Sequence, residues 1–212
     1  MKTITKISIQ QNGERYNLFL DEEFFCGITE ETLIKLGLKK GMQVDEDKLE
    51  GILAEESKNR CFSYAIYLLG RQNYFEKVLV DKLKKKEYTE ADIDYALNKL
   101  KSYNYIDDNR LAESFVRDKK KFSKKGPRYI SQALREKGVD YDTIKQAVEE
   151  NYSEEEAVQN CKAIGLKKIE YYKKKTTDAY TLRGKMYAFL AQRGFSSEVI
   201  RRVLDEISQE EV

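Results

Sequence analysis

The sequence contains no histidine among its 212 residues. Without histidine there is no Ser-His-Asp triad, no Cys-His dyad and no His-ligated metal. The three cysteines, Cys26, Cys61 and Cys161, stand far apart and form no C-x-x-C pair, so the sequence predicts neither a disulfide framework nor a zinc site. We therefore expect buried free thiols in a reducing compartment, with no metal and no cofactor.

Long apolar runs and chain breakers are also scarce. No run of about 18 apolar residues occurs, which predicts no membrane span, and the first residues lack the apolar region of a signal peptide, so we expect a cytoplasmic protein. One proline and 11 glycines are too few for a loop-rich β-sandwich or a disordered tether. Charged residues make up 36% of the chain, and lysine, leucine and glutamate are abundant, which favours a mostly helical fold.

Phosphate-binding and calcium-binding motifs are absent as well. Gly184 and Lys185 form the one Gly-Lys pair, but Ala179 stands where a P-loop needs its first glycine. The stretch 45–56 resembles a calcium loop in its acidic residues, yet Leu49 and Glu50 stand where an oxygen ligand and a glycine are required. An acidic helix N-terminus explains this stretch better. We expect no enzymatic activity.

Charge is distributed unevenly along the chain. Residues 1–56 hold 7 basic and 12 acidic residues, a net of −5, whereas residues 57–212 hold the remaining 32 basic and 25 acidic residues, a net of +7. One basic run extends from Arg117 to Lys137 and a second from Lys162 to Lys175, and acidic stretches follow each of them, the last from Asp205 to Glu211. Two interpretations stay open: solvated helix faces, or surfaces for an acidic or polyanionic partner.

Residues 1–48 are predicted to form a small separate piece. Alternating apolar residues over 4–20 predict a β-hairpin, with Asn12-Gly13 at its turn. Thr29 is placed to cap a short helix over residues 30–36, which Gly37 would end. Residues 43–44 either return as a third strand or lead into a helix.

From residue 49 onward the sequence repeats itself. Leu83, Leu134 and Leu190 recur at offsets of 51 (134 − 83) and 56 (190 − 134) residues. The other repeated positions are Ile93, Ile144 and Ile200 at +10, Ala96, Ala147 and Val203 at +13, and Leu97, Val148 and Leu204 at +14. Each leucine is predicted to end one helix, and the +10, +13 and +14 positions form one apolar face of the next.

The turn between those two helices also repeats. Its fourth position holds Glu87, Gly138 or Gly194, where a residue with positive φ can close the first helix. Its sixth position is Thr89, Asp140 or Ser196, each of which can cap the second helix.

A further helix precedes each pair, over residues 49–70, 109–122 and about 154–174. We therefore predict a mostly α-helical fold in which a small N-terminal β-hairpin piece (1–48) is followed by three tandem three-helix modules (49–106, 107–152 and 153–212). Stacked modules would form a curved, elongated array, which suits binding a macromolecule better than small-molecule catalysis.

Fifteen tyrosines and nine phenylalanines are a large aromatic content. Five of the tyrosines lie near basic runs and could stack on nucleic-acid bases: Tyr103, Tyr105, Tyr129, Tyr171 and Tyr172. We consider packing between helices the better explanation for them.

At the junction between the first two modules, the segment 105–118 reads YIDDNRLAESFVRD and is followed by Gly126, Ile130, Leu134, Lys137 and Gly138. This pattern resembles the RecX regulatory protein family. In that family an Ile-Asp-Asp signature opens a helix containing Phe-Val-Arg, and a basic stretch leads to a Leu-x-x-Lys-Gly turn. The resemblance covers about residues 57–208. It departs at Glu87, where glycine is common.

The resemblance implies a cytoplasmic bacterial modulator of the RecA recombinase. Such proteins bind RecA and lie in the helical groove of its filament on single-stranded DNA, where they inhibit ATPase, strand exchange and coprotease activities. The alternative is a helical-repeat protein that binds DNA directly, although a net charge of +2 and a pI of about 8.2 are low for that role. We expect a monomer.

The basic runs supply the candidate contact residues for RecA or its DNA filament. These are Arg110, Arg117, Lys119, Lys120, Lys121, Lys124, Lys125, Arg128, Lys167, Lys168, Lys173 and Lys174. No catalytic residue and no metal ligand is predicted.

Overall fold

A computed structural model describes residues 1–10 and 15–209 of the chain. The strands in these residues are β1 (Lys2–Ile9), β2 (Arg15–Leu20), β3 (Glu23–Thr29) and β4 (Gln43–Val44). The helices are α1 (Glu30–Lys35), α2 (Glu46–Leu69), α3 (Glu76–Lys84), α4 (Glu90–Ser102), α5 (Asp108–Lys121), α6 (Pro127–Glu136), α7 (Tyr141–Asn151), α8 (Glu154–Lys173), α9 (Ala179–Gln192) and α10 (Ser197–Gln209). The mostly helical fold with a small N-terminal strand region is as predicted.

The N-terminal strands form one sheet in the order β3-β2-β1-β4. The predicted hairpin is β1 and β2, which pair antiparallel with Ile7 opposite Leu18, and residues 43–44 do return as a strand beside β1. The predicted turn residues Asn12 and Gly13 lie outside the described residues.

Strand β3 was not predicted from the sequence. It joins β2 through Asp21 and Glu22, which both have positive φ (46° and 70°). Positive φ at both central residues is the geometry of a tight hairpin turn, which Asn-Gly or Asp-Gly usually signals. Asp-Glu gives no such signal, and consecutive Phe24 and Phe25 hide the alternation of a strand.

The helices confirm the repeat. Leu83, Leu134 and Leu190 are fully buried. The isoleucines at +10 are buried too, because each begins the apolar face of the last helix in its module. The predicted caps are also present: side-chain oxygens of Thr89, Asp140 and Ser196 accept backbone N–H groups three residues ahead, at 3.2, 2.9 and 3.2 Å.

The turn position takes positive φ in all three copies, at 62° for Glu87, 86° for Gly138 and 89° for Gly194. A Cβ on Gly138 would lie 2.3 Å from the Lys77 side chain, and one on Gly194 would lie 2.2 Å from the backbone nitrogen of Tyr129. The turn at Gly138 therefore lies against the start of α3, and the turn at Gly194 lies against the start of α6. Both approaches are too close to leave room for a side chain on the glycine. Glu87 instead points outward and pairs with Arg15 at 3.3 Å, so a side chain fits there.

Packing groups the residues into two compact units. One comprises residues 1–68 and 83–102, and its sheet core includes Ile4, Leu18 and Leu20. The other comprises residues 69–82 and 103–212 and contains a continuous core built from α5 to α10 together with Phe75.

Candidate binding surface along helix α5

Helix α5 begins at the Ile-Asp-Asp segment, whose two aspartates both cap helices. The Asp107 side chain accepts the backbone N–H of Arg110 at 3.0 Å and so caps α5. The side chain of Asp108 accepts the N–H of Glu76 at 3.0 Å, at the start of α3. Ile106 is buried. The motif thus fixes where α5 starts relative to the first turn of α3.

A wide cleft of about 730 Å³ opens beside the first half of α5. Its lining combines two arginines with tyrosine, amide and hydroxyl side chains, and includes Asn73, Tyr74, Asn104, Tyr105, Asp107, Arg110, Ser114 and Arg117. Arg110 is exposed and forms no ion pair among the described residues.

A second, basic cleft of about 390 Å³ lies beside the last turn of α5 and α8. It is lined by Arg117, Lys120, Lys121, Lys124, Glu156, Gln159 and Asn160. Arg117 lines both clefts. The two together form one trough, here called the α5 trough, because residues 110, 114, 117 and 121 follow the spacing of a single helix face.

Two lysines of the basic cleft are fixed by neighbours. Lys120 Nζ donates to the carbonyl oxygen of Asn151 at 2.6 Å and to Glu156 Oε1 at 2.8 Å, and its side chain is only 20% exposed. Lys124 Nζ donates to Asn160 Oδ1 at 3.0 Å. The bond from Lys120 lowers the pKa of Glu156. These two lysines tie α5 and the loop after it to α8.

The other predicted residues of the first run lie outside the trough. Lys119 lies over the Phe115 ring, 5.2 Å from its centroid, on the opposite side of α5 from Arg110. Lys125 lies over the Tyr129 ring at 3.7 Å, and Arg128 is exposed near the start of α6. The structure therefore brings together Arg110, Arg117, Lys120, Lys121 and Lys124 but not the rest of that run.

The second basic run lies on α8 and just after it. Lys167 and Lys174 are exposed, whereas Lys173 pairs with Glu170 at 3.3 Å. Lys168 Nζ lies 3.7 Å from the centroid of the Tyr171 ring. Lys175 Nζ donates to the Tyr171 hydroxyl at 2.6 Å, and this bond lowers the pKa of that hydroxyl.

The expectation that the tyrosines near the basic runs pack between helices is wrong for four of them. Tyr103, Tyr105, Tyr129 and Tyr171 are all exposed, at 55%, 56%, 39% and 46%. Only Tyr172 packs against the core. Four of these rings can therefore reach a partner.

The described residues contain no cluster of acidic or cysteine side chains that could hold a metal ion. None of the described helices is long and apolar enough to cross a membrane. Cys61 and Cys161 are fully buried and unbonded, as predicted, and burial raises the pKa of each thiol to about 12. Cys26 is only half-buried, which corrects the expectation of three buried thiols, and burial raises its pKa to about 11.

Several trough residues were missed from the sequence: Asn73, Tyr74, Asn104 and Ser114. Asn73 and Tyr74 precede α3, more than thirty residues before Arg110, so no local pattern joins them to α5. The helical spacing of Arg110, Ser114, Arg117 and Lys121 was the one signal available.

Comparison with known proteins identifies relatives along nearly the whole chain. Residues 2–45 match the RecX N-terminal domain, and residues 61–100, 107–148 and 154–204 match the first, second and third RecX three-helix domains. Relatives called regulatory protein RecX include one from Leuconostoc mesenteroides, 35% identical over 99% of this chain and 78% of its own. One from Clostridium botulinum is 34% identical over 97% of this chain and 96% of its own.

Solved structures are similar as well. A crystal structure of regulatory protein RecX is 30% identical, with a TM-score of 0.70 over 97% of this chain and all of that one. The crystal structure of RecX from Lactobacillus salivarius is 26% identical, with a TM-score of 0.67 over 73% of this chain and 99% of that one.

Proposed function

The chain belongs to the RecX family of regulatory proteins, and we propose on that premise that it binds the RecA recombinase in the cytoplasm. The proposal includes binding to the RecA filament on single-stranded DNA and inhibition of its ATPase, strand exchange and coprotease activities. It is a regulator, not an enzyme, and it acts as a monomer without a cofactor.

One observation carries the proposal beyond the family relationship. Four cations of the candidate surface, Arg110, Lys121, Lys167 and Lys174, are exposed and form no ion pair among the described residues. Acidic residues do stand three or four positions from each of these cations in the sequence, but among the described residues none forms an ion pair with it. The four charges are therefore available to an acidic protein surface or to phosphate.

The mechanism we propose is competitive occupancy of the filament. Several weak contacts on one scaffold add through effective concentration, so the protein can occupy sites that strand exchange and coprotease substrates need. Exposed charge contacts are screened by salt, so inhibition should weaken as ionic strength rises.

Hydrolysis of ATP by RecA in the presence of single-stranded DNA tests the proposal. The purified protein should slow hydrolysis in a dose-dependent way. Unchanged hydrolysis at a large molar excess of the protein, under low salt, would contradict it.

Direct DNA binding is the second candidate function. The exposed Tyr103, Tyr105, Tyr129 and Tyr171 favour it, since aromatic rings beside cations can stack on unpaired bases. Binding of a labelled single-stranded oligonucleotide without RecA separates the two functions. Tight oligonucleotide binding together with unaltered ATP hydrolysis would favour the second.

A further inference from the structure

We propose that the α5 trough binds an extended, acidic peptide segment, with a large apolar side chain of that segment seated in the wide cleft. This inference deepens the proposed function. It rests on that function for one point only, which is the identity of the protein that carries the segment. The trough itself is defined by residues 73–74, 104–124 and 156–160.

The trough offers cations in a row. Arg110, Arg117 and Lys121 lie on one face of α5, and Arg110 to Lys121 spans about 16 Å at 1.5 Å per residue. An extended peptide rises about 3.3 Å per residue, so roughly five residues cover this length. Carboxylates on alternate residues of such a segment would recur about every 7 Å along the row.

Each of these three cations retains N–H donors that can bind a partner. Arg110 and Lys121 form no ion pair or side-chain hydrogen bond among the described residues. Arg117 donates from Nη1 to Glu113 at 3.2 Å and to Asn151 at 2.9 Å, but a guanidinium has five N–H groups. The side chain of Arg117 is thus held in place while part of it still faces the trough.

The trough also carries carboxylates, which argues for a peptide and against a phosphate backbone. Asp107 lines the wide cleft and Glu156 lines the basic cleft, where the bond from Lys120 lowers the pKa of Glu156 and keeps it ionised. A phosphate chain along the trough would pass the negative charge of Asp107, whereas Glu156 is already paired with Lys120. The N–H groups of a peptide can donate to Asp107 instead.

Neutral hydrogen-bonding groups support the same choice. Asn73, Asn104 and Ser114 line the wide cleft and offer both donors and acceptors. Such groups match the alternating N–H and C=O groups of a peptide backbone, whereas phosphate oxygens accept only.

Aromatic and aliphatic side chains form part of the wall at the wide end of the trough, where one large apolar side chain can contact them. Tyr74 and Tyr105 line it together with Ile106 and Leu111, and Tyr105 is 56% exposed. Tyr103 lies beside Tyr105, with ring centroids 5.8 Å apart, which extends the aromatic surface. Covering this surface would stabilise the complex through removal of apolar area from water.

Fluorescence anisotropy with the full chain tests the proposal. The probe is a fluorescein-labelled peptide of roughly eight residues, long enough to cover the row of cations. One set of alternate positions holds glutamate and, at one end, phenylalanine, so that these side chains share one face of the extended chain. The two comparison probes are the same peptide with glutamine in place of glutamate, and an oligothymidylate that carries the same number of negative charges.

The glutamate peptide should bind more tightly than either comparison probe. Arg110→Glu should weaken its binding at least about tenfold, because a charge-assisted contact is replaced by repulsion. Arg201→Glu is the matched control, since Arg201 is exposed on α10 outside both clefts, and it should change binding less than about twofold. Tyr105→Ala should also weaken binding, whereas Tyr180→Ala, which removes an exposed ring on α9, should not.

Several results would overturn the proposal. These are no binding of the glutamate peptide, equal binding of the glutamine peptide, tighter binding of the oligonucleotide, or equal loss in Arg110→Glu and Arg201→Glu. If RecA is inhibited but the peptide does not bind, this inference fails and the proposed function stands. If the peptide binds through Arg110 but RecA is unaffected, the proposed function fails instead.

Discussion

The carbonyl oxygen of Gly194 accepts a hydrogen bond from the backbone N–H of Arg128 at 3.0 Å, which joins the turn between α9 and α10 to the start of α6. The neighbouring N–H of Gly126 donates to the carbonyl oxygen of Arg193 at 2.8 Å. These N–H groups belong to a helix N-terminus and its cap, which have no partner within their own helix. The turn in the third module therefore supplies carbonyl acceptors for backbone N–H groups at the start of α6 in the second module.

That close approach predicts opposite effects for two glycines of α9 and its turn. Gly194→Ala should lower the free energy of unfolding by several kcal/mol, because φ is 89° and a Cβ would lie 2.2 Å from Tyr129 nitrogen. Gly184→Ala should raise it by about 0.5–1 kcal/mol, since a Cβ there meets nothing within 4 Å inside a helix. Urea unfolding measures both. Equal effects of the two substitutions would contradict this account of the turn.

Exchanging residues at equivalent turns tests why the first module departs from glycine. Glu87→Gly should stabilise the protein by about 1 kcal/mol or less. Glycine adopts the positive φ of this position without the steric cost that glutamate has, and the substitution breaks only an exposed ion pair. Gly138→Glu should be strongly destabilising, since its Cβ would lie 2.3 Å from Lys77. Thermal unfolding of both variants would show a large difference in Tm if the account is correct. Similar Tm values would refute it.

The contact between α5 and α8 predicts a pH dependence. The pKa of Glu156 is lowered in the folded protein, so its contribution to stability is present above the unfolded value of about 4.3 and is lost as pH falls through the folded value. Glu156→Gln keeps the cap of α8, because glutamine also serves in a capping box. The variant should be less stable than the wild type at pH 7 and equally stable in strong acid. A difference that persists in strong acid would exclude the ion pair as its source.

Thiol labelling should distinguish the three cysteines. Cys61 and Cys161 are fully buried and their pKa values are raised to about 12, so iodoacetamide should not modify them in the native state near neutral pH. Half-buried Cys26 should be modified slowly, and all three should react once the protein is unfolded. Mass spectrometry of labelled peptides measures the order. Modification of Cys161 before Cys26 would show that the α8 core opens more readily than the structure implies.

The repeat was predictable because the burial of Leu83, Leu134 and Leu190 leaves a regular apolar spacing in the sequence, and because Thr89, Asp140 and Ser196 are good helix caps. Strand β3 was not predictable, since its turn uses Asp21 and Glu22 in place of glycine or asparagine. The candidate surface was predictable only in part. Charge counting along the chain cannot separate Lys120, which is bound within the fold, from Lys121, which is exposed.

That distinction changes the most useful charge-reversal experiment. Because exposed charges contribute little to stability, the sequence alone predicts that reversal of the whole run Lys119, Lys120, Lys121, Lys124 and Lys125 leaves the fold nearly intact. The structure contradicts this, because Lys120 and Lys124 bond to Asn151, Glu156 and Asn160 across the α5–α8 contact. Loss of inhibition in that variant could reflect damaged packing. The acidic tail residues Glu210 and Glu211, a possible control, lie outside the described residues.

The most direct test uses four exposed cations that no acidic side chain pairs with in the described residues. Arg110, Lys121, Lys167 and Lys174 are changed to glutamate together, and Arg201, Lys39, Lys85 and Lys145, which are exposed and outside the candidate surface, are changed in the control. Both variants undergo the same change of charge. Hydrolysis of ATP by RecA on single-stranded DNA is then measured at increasing concentrations of each protein. The account predicts that the first variant loses most of its inhibition while the control keeps it. Equal inhibition by the two variants would contradict the central claim that this surface binds the RecA filament.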